Sequence, residues 1–198
     1  MYKSFFKRMI DIILSFFAIV FLLPILIILS ICIKIDSKGP ILFKQKRVGK
    51  NKSHFNILKF RTMFIDTPKD TPTHLLKDPN SMITKCGSFL RKYSLDELPQ
   101  IFNIFVGQMS IIGPRPALWN QYDLIAERDK YKANDLVPGL TGYAQISGRD
   151  ELPIDVKAEK DGYYAKNISF KLDVSIFFKT IFRVFKASGV VEGNQDKE

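Results

Sequence analysis

The feature that most constrains this chain is an apolar run near its N-terminus. Residues 12–33 read IILSFFAIVFLLPILIILSICI and contain no charged side chain. A helix needs about 20 predominantly apolar residues to cross a bilayer. The apolar core of a secretory signal is shorter, about 7–15 residues, and a small-residue cleavage site follows it. Here a charged segment that begins at Lys34 follows instead, so the run predicts a helix embedded in a membrane.

The charges at the two ends of this run restrict how it sits in the membrane. Lys7 and Arg8 precede it, and Lys34 and Lys38 follow it. Positive charge marks the cytoplasmic side, so both ends prefer that side. Pro24 lies near the middle, where a proline removes a backbone hydrogen bond and bends a helix. Two arrangements fit: a spanning helix that tolerates its proline, or a re-entrant helix that breaks at Pro24 and returns.

The composition limits the partners of the chain. Its formal net charge of +10 fits nucleic acid, an anionic membrane surface or phosphorylated small molecules. Cys32 and Cys86 form no CxxC pair and only two histidines are present, so no structural zinc site is expected. The sequence also lacks a GxxxxGK[ST] loop, a GxGxxG turn and an HExxH helix, which leaves nucleoside triphosphate, dinucleotide and zinc-protease functions without support.

The rest of the chain predicts an α+β domain that is mostly helical and has small β elements. We expect a membrane segment over residues 1–36 and a cytosolic domain over residues 37–198, with a disordered polar tail from about residue 189. Hydrophobic patterns and turn residues predict strands over 41–48 and 55–60, helices over 84–92, 94–106, 117–131 and 169–186, and loops over 66–80 and 138–149.

The helix predicted over residues 169–186 has one apolar face rich in phenylalanine. The residues at helical spacing on this face are Phe170, Val174, Phe177, Phe178, Ile181, Phe182 and Phe185. Lysine and arginine lie off the face, which is typical of an amphipathic helix in a membrane interface. The alternative is a helix that packs this face against the domain's own core.

A pair of adjacent carboxylates, Asp96 and Glu97, is the strongest candidate for chemistry. Ser94 and Glu97 also match a capping box at the start of a helix, which is the structural alternative. The two interpretations are compatible, because a helix N-terminus attracts phosphate and favours an ionised carboxylate. Such a carboxylate can act as a nucleophile or hold Mg²⁺ together with substrate phosphates.

Cations that could stabilise phosphate oxygens recur along the chain. The candidates are Lys59, Arg61, Arg91, Arg115 and Arg149. The alternative for each is an exposed, solvated cation. Arg115 stands apart because Pro114 and Pro116 stiffen the backbone on both sides, which suits bidentate recognition of phosphate.

The chain resembles the small monotopic phosphoglycosyl transferases of the bacterial sugar transferase family along nearly its whole length. The segments that carry the resemblance are FKRMID from Phe6, FKQKRVG from Phe43, KFRTM from Lys59, SLDELPQ from Ser94, MSIIGPRP from Met109, PGLTGYAQISGR from Pro138 and YAKNISF from Tyr164. Gln108 departs from the acidic residue that members often carry there, which puts a local salt bridge in doubt. The resemblance implies the minimal form of the family, without the transmembrane bundle of larger relatives.

This resemblance implies that Asp96 is the nucleophile of a polyprenyl-phosphate sugar-1-phosphate transferase. Asp96 would attack a UDP-sugar, expel UMP and hold the phosphosugar until undecaprenyl phosphate accepts it. Glu97 matches the second member of the Asp-Glu pair, and Arg91, Arg115 and Arg149 match phosphate-binding positions. The resemblance also implies Mg²⁺ as cofactor, a re-entrant helix at Pro24, and a site on the cytoplasmic face of the bacterial inner membrane.

The partners implied are a UDP-sugar, polyprenyl phosphate, the lipid bilayer, a second copy of the chain in a homodimer and downstream glycosyltransferases, with no nucleic acid. An N-acetylated sugar is favoured, and the pathway would begin capsule or exopolysaccharide synthesis. Two other functions remain open. One is a membrane-anchored basic binding protein without catalysis, and the other is a membrane diphosphate hydrolase.

Overall fold

The computed structural model describes residues 2–68, 81–148 and 152–185. A π-helical turn (Tyr2–Phe6) leads into the first of seven helices in this described part: α1 (Lys7–Asp36), α2 (Lys85–Lys92), α3 (Gln100–Phe105), α4 (Tyr122–Asp129), α5 (Tyr143–Ser147), α6 (Ile154–Lys166) and α7 (Phe170–Phe185). The strands are β1 (Leu42–Val48), β2 (His54–Phe60), β3 (Ser110–Ile112) and β4 (Gly139–Thr141). The prediction of a mostly helical fold with small sheets is confirmed.

Two small sheets lie among the helices. β1 and β2 form an antiparallel hairpin in which Leu42 pairs with Phe60 and Val48 with His54, so both predicted strands are confirmed to within one residue. β3 and β4 form a parallel pair that the sequence did not predict. Each has only three residues, which is too short to show an alternating pattern.

Three predicted segments differ from the structure. The helix expected over 94–106 is two pieces, a 3₁₀ turn (Leu95–Glu97) and α3, because Pro99 lies between them and has no N–H to continue the helix. The helix expected over 117–131 begins only at Tyr122, since Ala117 and Leu118 pair with β1 instead. The loop expected over 138–149 contains β4 and α5. Most of the predicted 66–80 loop and the predicted tail from residue 189 lie outside the described residues.

α1 is a continuous helix that includes Pro24 and is long and apolar enough to cross a membrane. Its start contacts α3, and its last turn lies in an apolar cluster that includes a residue of α3. Near the start, Arg8 donates to the carbonyl oxygens of Ile104 (2.6 Å) and Phe105 (2.7 Å) on α3. Near the end, Ile33 is buried in a cluster that also contains Ile101 of α3. A straight helix would place Arg8 and Ile33 about 37 Å apart, whereas α3 is only six residues long.

α7 packs on the domain through a stripe that is not its phenylalanine-rich face. Asp173 and Ile176 are buried, and Ile176 joins Ile112 and Tyr164 in a core cluster. The predicted apolar face points outward: Phe178 is 56% exposed and Phe182 is 69% exposed. The alternative in which this face covers the domain core is therefore not what the structure shows.

The two stripes of α7 should respond differently to truncation. We expect Ile176→Ala to reduce the free energy of unfolding by about 2–5 kcal/mol, because it leaves a cavity in the core. Phe178→Ala, on the exposed stripe of the same helix, should change it by about 0.5 kcal/mol or less. Thermal or denaturant unfolding in detergent measures both variants. A larger loss for Phe178→Ala than for Ile176→Ala would contradict the packing described here.

Candidate active site

The two adjacent carboxylates lie on the 3₁₀ turn between α2 and α3. Ser94 begins this turn in the left-handed conformation (φ 55°, ψ 24°), which is uncommon for a residue other than glycine. This reversal directs the turn back across the C-terminal end of β2. Asp96 and Glu97 are both mostly buried there, with side chains 13% and 19% exposed.

The capping box predicted from Ser94 and Glu97 is not formed. The Ser94 side chain makes no capping hydrogen bond, and a residue in the left-handed conformation lacks the extended backbone that an N-cap requires. The Glu97 carboxylate binds two cations instead of turning back to the backbone of Ser94. The sequence pattern of a capping box is therefore present without the structure. The main structural alternative to a chemical role for Asp96 and Glu97 is thereby removed.

Glu97 is the centre of a three-residue ion cluster. Its Oε1 accepts hydrogen bonds from Lys59 Nζ at 2.8 Å and from Arg115 Nη2 at 2.8 Å. Lys59 Nζ also lies 3.9 Å from Oδ2 of Asp96. One lysine thus contacts both carboxylates, while Arg115, which is 42% exposed, extends from the cluster toward solvent. An anionic ligand can approach this part of the site.

The surroundings shift the pKa values of the two carboxyl groups in opposite directions. Burial raises the pKa of Asp96, and the negative charge of Glu97 adds to that rise, while Lys59, Arg91 and Arg115 oppose it. Burial alone would also raise the pKa of Glu97, but Arg115 and Lys59 hold that pKa well below the usual glutamate range. Glu97 is therefore a fixed anion, and Asp96 is the group whose protonation can change.

The backbone explains how Lys59 and Arg115 reach the same carboxylate. Lys59 is the penultimate residue of β2, and Arg115 follows β3 by way of Gly113 and Pro114. At Gly113 the backbone passes so close to Gly139 that a Cβ atom would lie 2.6 Å from the carbonyl oxygen of Val137 and 2.9 Å from the Gly139 nitrogen. This close approach places the segment that carries Arg115 against the site.

Arg91 joins the site from α2. Its Nε donates to the hydroxyl of Thr62 at 2.9 Å, and its charge is near enough to lower the pKa of Asp96. Close packing brings α2 to this strand end, because a Cβ atom on Gly87 would lie 2.0 Å from the carbonyl oxygen of Thr62. Four of the predicted residues besides Arg91 are thus brought together: Lys59, Asp96, Glu97 and Arg115.

Arg61 has a different role from the one predicted. Its guanidinium is buried and donates to the carbonyl oxygens of Lys38 and Ser37, the latter at 2.7 Å, and to that of Ile33 at 3.4 Å. Ile33 lies in the last turn of α1, and Ser37 and Lys38 follow the end of the helix directly, so the guanidinium satisfies carbonyls at the C-terminal end of α1. We therefore assign Arg61 to the end of α1 and exclude it from the candidate site. Arg149 lies outside the described residues.

The carboxylates provide a limited set of metal ligands. Across residues 2–68, 81–148 and 152–185, no group of three or more histidine, cysteine, aspartate or glutamate side chains is placed to hold a metal. Glu97 is already paired with two cations. In the same described residues, the charged side chain within 4 Å of Asp96 is that of Lys59. Asp96 is therefore the carboxylate of the pair that is left to bind a metal. One carboxylate together with substrate phosphates suits Mg²⁺, which keeps several water ligands.

The sequence analysis missed a buried ion pair behind the site. Arg128 on α4 donates to Oδ2 of Asp161 on α6 from Nε (2.8 Å) and Nη2 (2.6 Å), and its Nη1 donates to the carbonyl oxygen of Arg115 (3.0 Å). The two residues are 33 positions apart in sequence, and no local pattern links them. Gln108, which departs from the family pattern, accepts a hydrogen bond from Asn103 at 2.7 Å.

Comparison with known proteins identifies the family. A family model described as bacterial sugar transferase matches residues 2–187, which is most of the chain. The chain therefore belongs to the bacterial sugar transferase family.

Three relatives illustrate the match. A UDP-N-acetylgalactosamine-undecaprenyl-phosphate N-acetylgalactosaminephosphotransferase of Aeromonas hydrophila is 38% identical over 94% of this chain and 45% of the relative. A UDP-glucose:undecaprenyl-phosphate glucose-1-phosphate transferase of Klebsiella pneumoniae is 37% identical over 91% of this chain and 40% of the relative. An uncharacterized sugar transferase, EpsL, of Bacillus subtilis is 35% identical over 95% of this chain and 91% of the relative. The chain thus spans less than half the length of the first two.

The opposed carboxyl groups predict a specific titration. We expect Asp96 to titrate above the ordinary aspartate pKa of about 3.9, since burial and Glu97 both raise its pKa. Glu97→Gln should lower the Asp96 pKa, because it removes a negative neighbour and frees Lys59 to act on Asp96. Carbon-13 NMR of the side-chain carboxyl groups measures both values. Glu127→Gln, a change at an exposed ion pair, is the control, and an Asp96 pKa at or below 3.9 in the parent protein would contradict this electrostatic picture.

Proposed function

We propose that this chain transfers a sugar 1-phosphate from a UDP-sugar to undecaprenyl phosphate, releases UMP and so begins the synthesis of a surface glycan. The observation that carries the proposal is the position of Asp96, a buried carboxylate with Lys59, Arg91 and Arg115 around it and Glu97 already neutralised. The printed names of the Aeromonas and Klebsiella relatives support the substrate class. Those names differ in the sugar, and our preference for an N-acetylated sugar rests on the family resemblance alone.

In the first step, an oxygen of ionised Asp96 attacks the phosphorus that bears the sugar. The bond between this phosphorus and the oxygen bridging to the uridine phosphate breaks, and UMP leaves with the bonding electrons. The product is a phosphosugar joined to Asp96 as an acyl phosphate, a mixed anhydride of the carboxyl group and the sugar phosphate. Phosphoryl transfer of this kind depends mainly on positioning and on stabilisation of charge. In this proposal Arg115 binds the phosphate oxygens through its exposed guanidinium, and Arg91 and Lys59 add positive charge around Asp96.

In the second step, a phosphate oxygen of undecaprenyl phosphate attacks the same phosphorus. The bond to Asp96 breaks, the carboxylate is restored, and a polyprenyl diphosphate-sugar is released. One phosphoanhydride has replaced another, so the carboxylate must be a good leaving group as well as a nucleophile. Mg²⁺ fits as cofactor, with Asp96 and the diphosphate oxygens as its ligands. When bound, it would neutralise charge on those oxygens.

The lipid acceptor requires a site at the bilayer surface, and three features support that location. The α1 helix is long and apolar, and the phenylalanine-rich face of α7 is exposed. The start of α1 donates hydrogen bonds to α3, which follows the turn that carries Asp96, and the last turn of α1 lies in an apolar cluster that includes a residue of α3. We propose that α1 is re-entrant, with its bend near Pro24 inside the bilayer and both ends at the cytoplasmic face of the bacterial inner membrane. The exposed face of α7 then lies in the membrane interface.

The proposed chemistry predicts how Asp96→Asn behaves. We expect the parent protein, with Mg²⁺ and detergent-solubilised undecaprenyl phosphate, to release UMP from one member of a panel of UDP-sugars. Asp96→Asn should lower this rate at least about 1000-fold, because an amide is a poor nucleophile and a poor leaving group. Without the lipid acceptor, the parent protein should release one UMP per active site and gain the mass of one phosphosugar, measured on the intact protein.

The control is Asp123→Asn, the same change at an exposed residue of α4, which should keep full activity. Release of free sugar phosphate to water would favour a diphosphate hydrolase. An Asp96→Asn variant that binds anionic membranes normally, together with a parent protein that releases no UMP from any UDP-sugar, would favour a binding protein without catalysis. Full UMP release by folded Asp96→Asn would contradict the proposed nucleophile.

The re-entrant arrangement predicts that both ends of α1 are accessible from one side of the membrane. We expect cysteines at Lys3→Cys and Lys38→Cys, in a background with Cys32→Ala and Cys86→Ala, to react with a membrane-impermeant maleimide only in inside-out vesicles. Both lysines are exposed in the structure. A periplasmic marker cysteine on a separate protein reports vesicle orientation. Labelling of the two positions from opposite sides would show a spanning helix instead.

A further inference from the structure

Two arginines hold the backbone of the segment that carries Arg115. Nη1 of Arg128 donates to the carbonyl oxygen of Arg115 at 3.0 Å. Nη1 of Arg47, on β1, donates to the next carbonyl, that of Pro116, at 3.1 Å. Two consecutive carbonyls are thus bound from two different elements, and the peptide planes on either side of the Pro116 Cα cannot rotate freely.

Arg128 is itself fixed by a buried ion pair. Its Nε and Nη2 both donate to Oδ2 of Asp161, and the side chains of Arg128 and Asp161 are 5% and 1% exposed. The guanidinium is planar, so once one edge is bound to Asp161 the direction of Nη1 is set. α6 is also held close to the end of α4, because a Cβ atom on Gly162 would lie 2.4 Å from the Cβ of Tyr131. The donor to Arg115 therefore has little freedom.

The hydrogen bond to the Arg115 carbonyl anchors the backbone from which the Arg115 side chain extends. The prolines on both sides have fixed φ angles, and Pro116 restricts Arg115, the residue before it, to extended conformations. The hydrogen bond from Arg128 holds the peptide plane that follows the Arg115 Cα atom in this extended arrangement. The backbone at the base of the half-exposed Arg115 side chain is thus held in place.

From this geometry we infer that Arg128 and Asp161 are positioning residues, which hold Arg115 against Glu97 and ready for the diphosphate of the donor. This inference rests on the proposed function for its substrate. Stability alone does not require the pair, since buried ion pairs can often be replaced by apolar residues without loss of stability. The charged pair supplies what an apolar pair lacks: a directed N–H aimed at the carbonyl of Arg115.

The test is a double-mutant cycle on kcat/KM for the UDP-sugar. The double variant Arg128→Met/Asp161→Leu removes the donor and fills the space with apolar side chains. We expect it to lower kcat/KM about 100-fold, the effect of a displacement of about 1 Å in a group that binds the transition state. In an Arg115→Ala background the same change should cost about threefold or less, because the side chain that it positions is already gone.

Lys130→Met is the matched control, because it removes an exposed cation and its ion pair from the end of the same helix. It should leave kcat/KM unchanged. An equal loss from the Arg128→Met/Asp161→Leu change in both backgrounds would overturn the inference, since a general structural defect does not depend on Arg115. If that double variant does not fold, Arg128→Lys takes its place, because lysine retains the charge beside Asp161 without the second directed donor.

A second measurement separates this inference from the proposed function. A crystal structure of the double variant reports the distance from Arg115 Nη2 to Glu97 Oε1, which is 2.8 Å in the parent protein. A guanidinium displaced from Glu97 supports positioning even if the parent protein releases no UMP. An unchanged 2.8 Å contact overturns it even if the transferase activity is confirmed.

Discussion

The ion cluster around Glu97 requires three distant parts of the chain to be folded at once. Lys59 comes from β2, Glu97 from the turn before α3, and Arg115 from the segment after β3. A buried carboxylate is costly unless its charge is paired and hydrogen-bonded. Each cation therefore stabilises the fold as well as the site. The same pairing leaves Asp96 as the carboxylate that responds to a ligand, since Glu97 is already neutralised by its partners.

A second buried carboxylate connects the start of α1 to the C-terminal helices. Asp173 on α7 accepts hydrogen bonds from Tyr2 and Lys7 at 2.7 Å through Oδ2, and from Tyr164 at 2.7 Å through Oδ1. Tyr164 also reaches the carbonyl of Ile112, at the end of β3. Three segments meet at one side chain: the start of α1, the end of α6 and the start of α7. Because β3 leads directly to Arg115, the start of α1 is structurally connected to the site.

Local patterns predicted the parts of this fold that are encoded within about ten residues. The β1–β2 hairpin, α2 and α7 have clear periodicity and flanking turn residues, and the structure contains them. The pairs that complete the site are not local. Arg61 lies two residues after Lys59, just past the end of β2, so the sequence could not show that only Lys59 turns toward Asp96. No local pattern distinguishes Arg128 and Asp161, since each is one of several charged residues in its helix and the other charged residues there are not buried.

The capping box at Ser94 shows why a correct motif can predict the wrong structure. The spacing of Ser94 and Glu97 suits a helix N-terminus, but Pro99 prevents the helix from continuing through the turn. Once the turn is 3₁₀ and Ser94 is left-handed, Lys59 and Arg115 become nearer partners for Glu97 than the backbone of Ser94. A charge-assisted hydrogen bond is stronger than a neutral one. Glu97 therefore binds Lys59 and Arg115 and does not cap the backbone of Ser94.

The charge balance of the site explains why a divalent cation suits the proposed reaction. Three cations (Lys59, Arg91 and Arg115) face two carboxylates, so the site has a small positive surplus. A nucleotide-sugar brings a diphosphate with about two negative charges, which exceeds that surplus. Ionised Asp96 would then have to approach an anionic phosphorus centre in a partly buried site, where charge repulsion is weakly screened. In the proposed reaction, one divalent cation on the diphosphate would remove this excess and would favour both the ionised form of Asp96 and its approach to phosphorus.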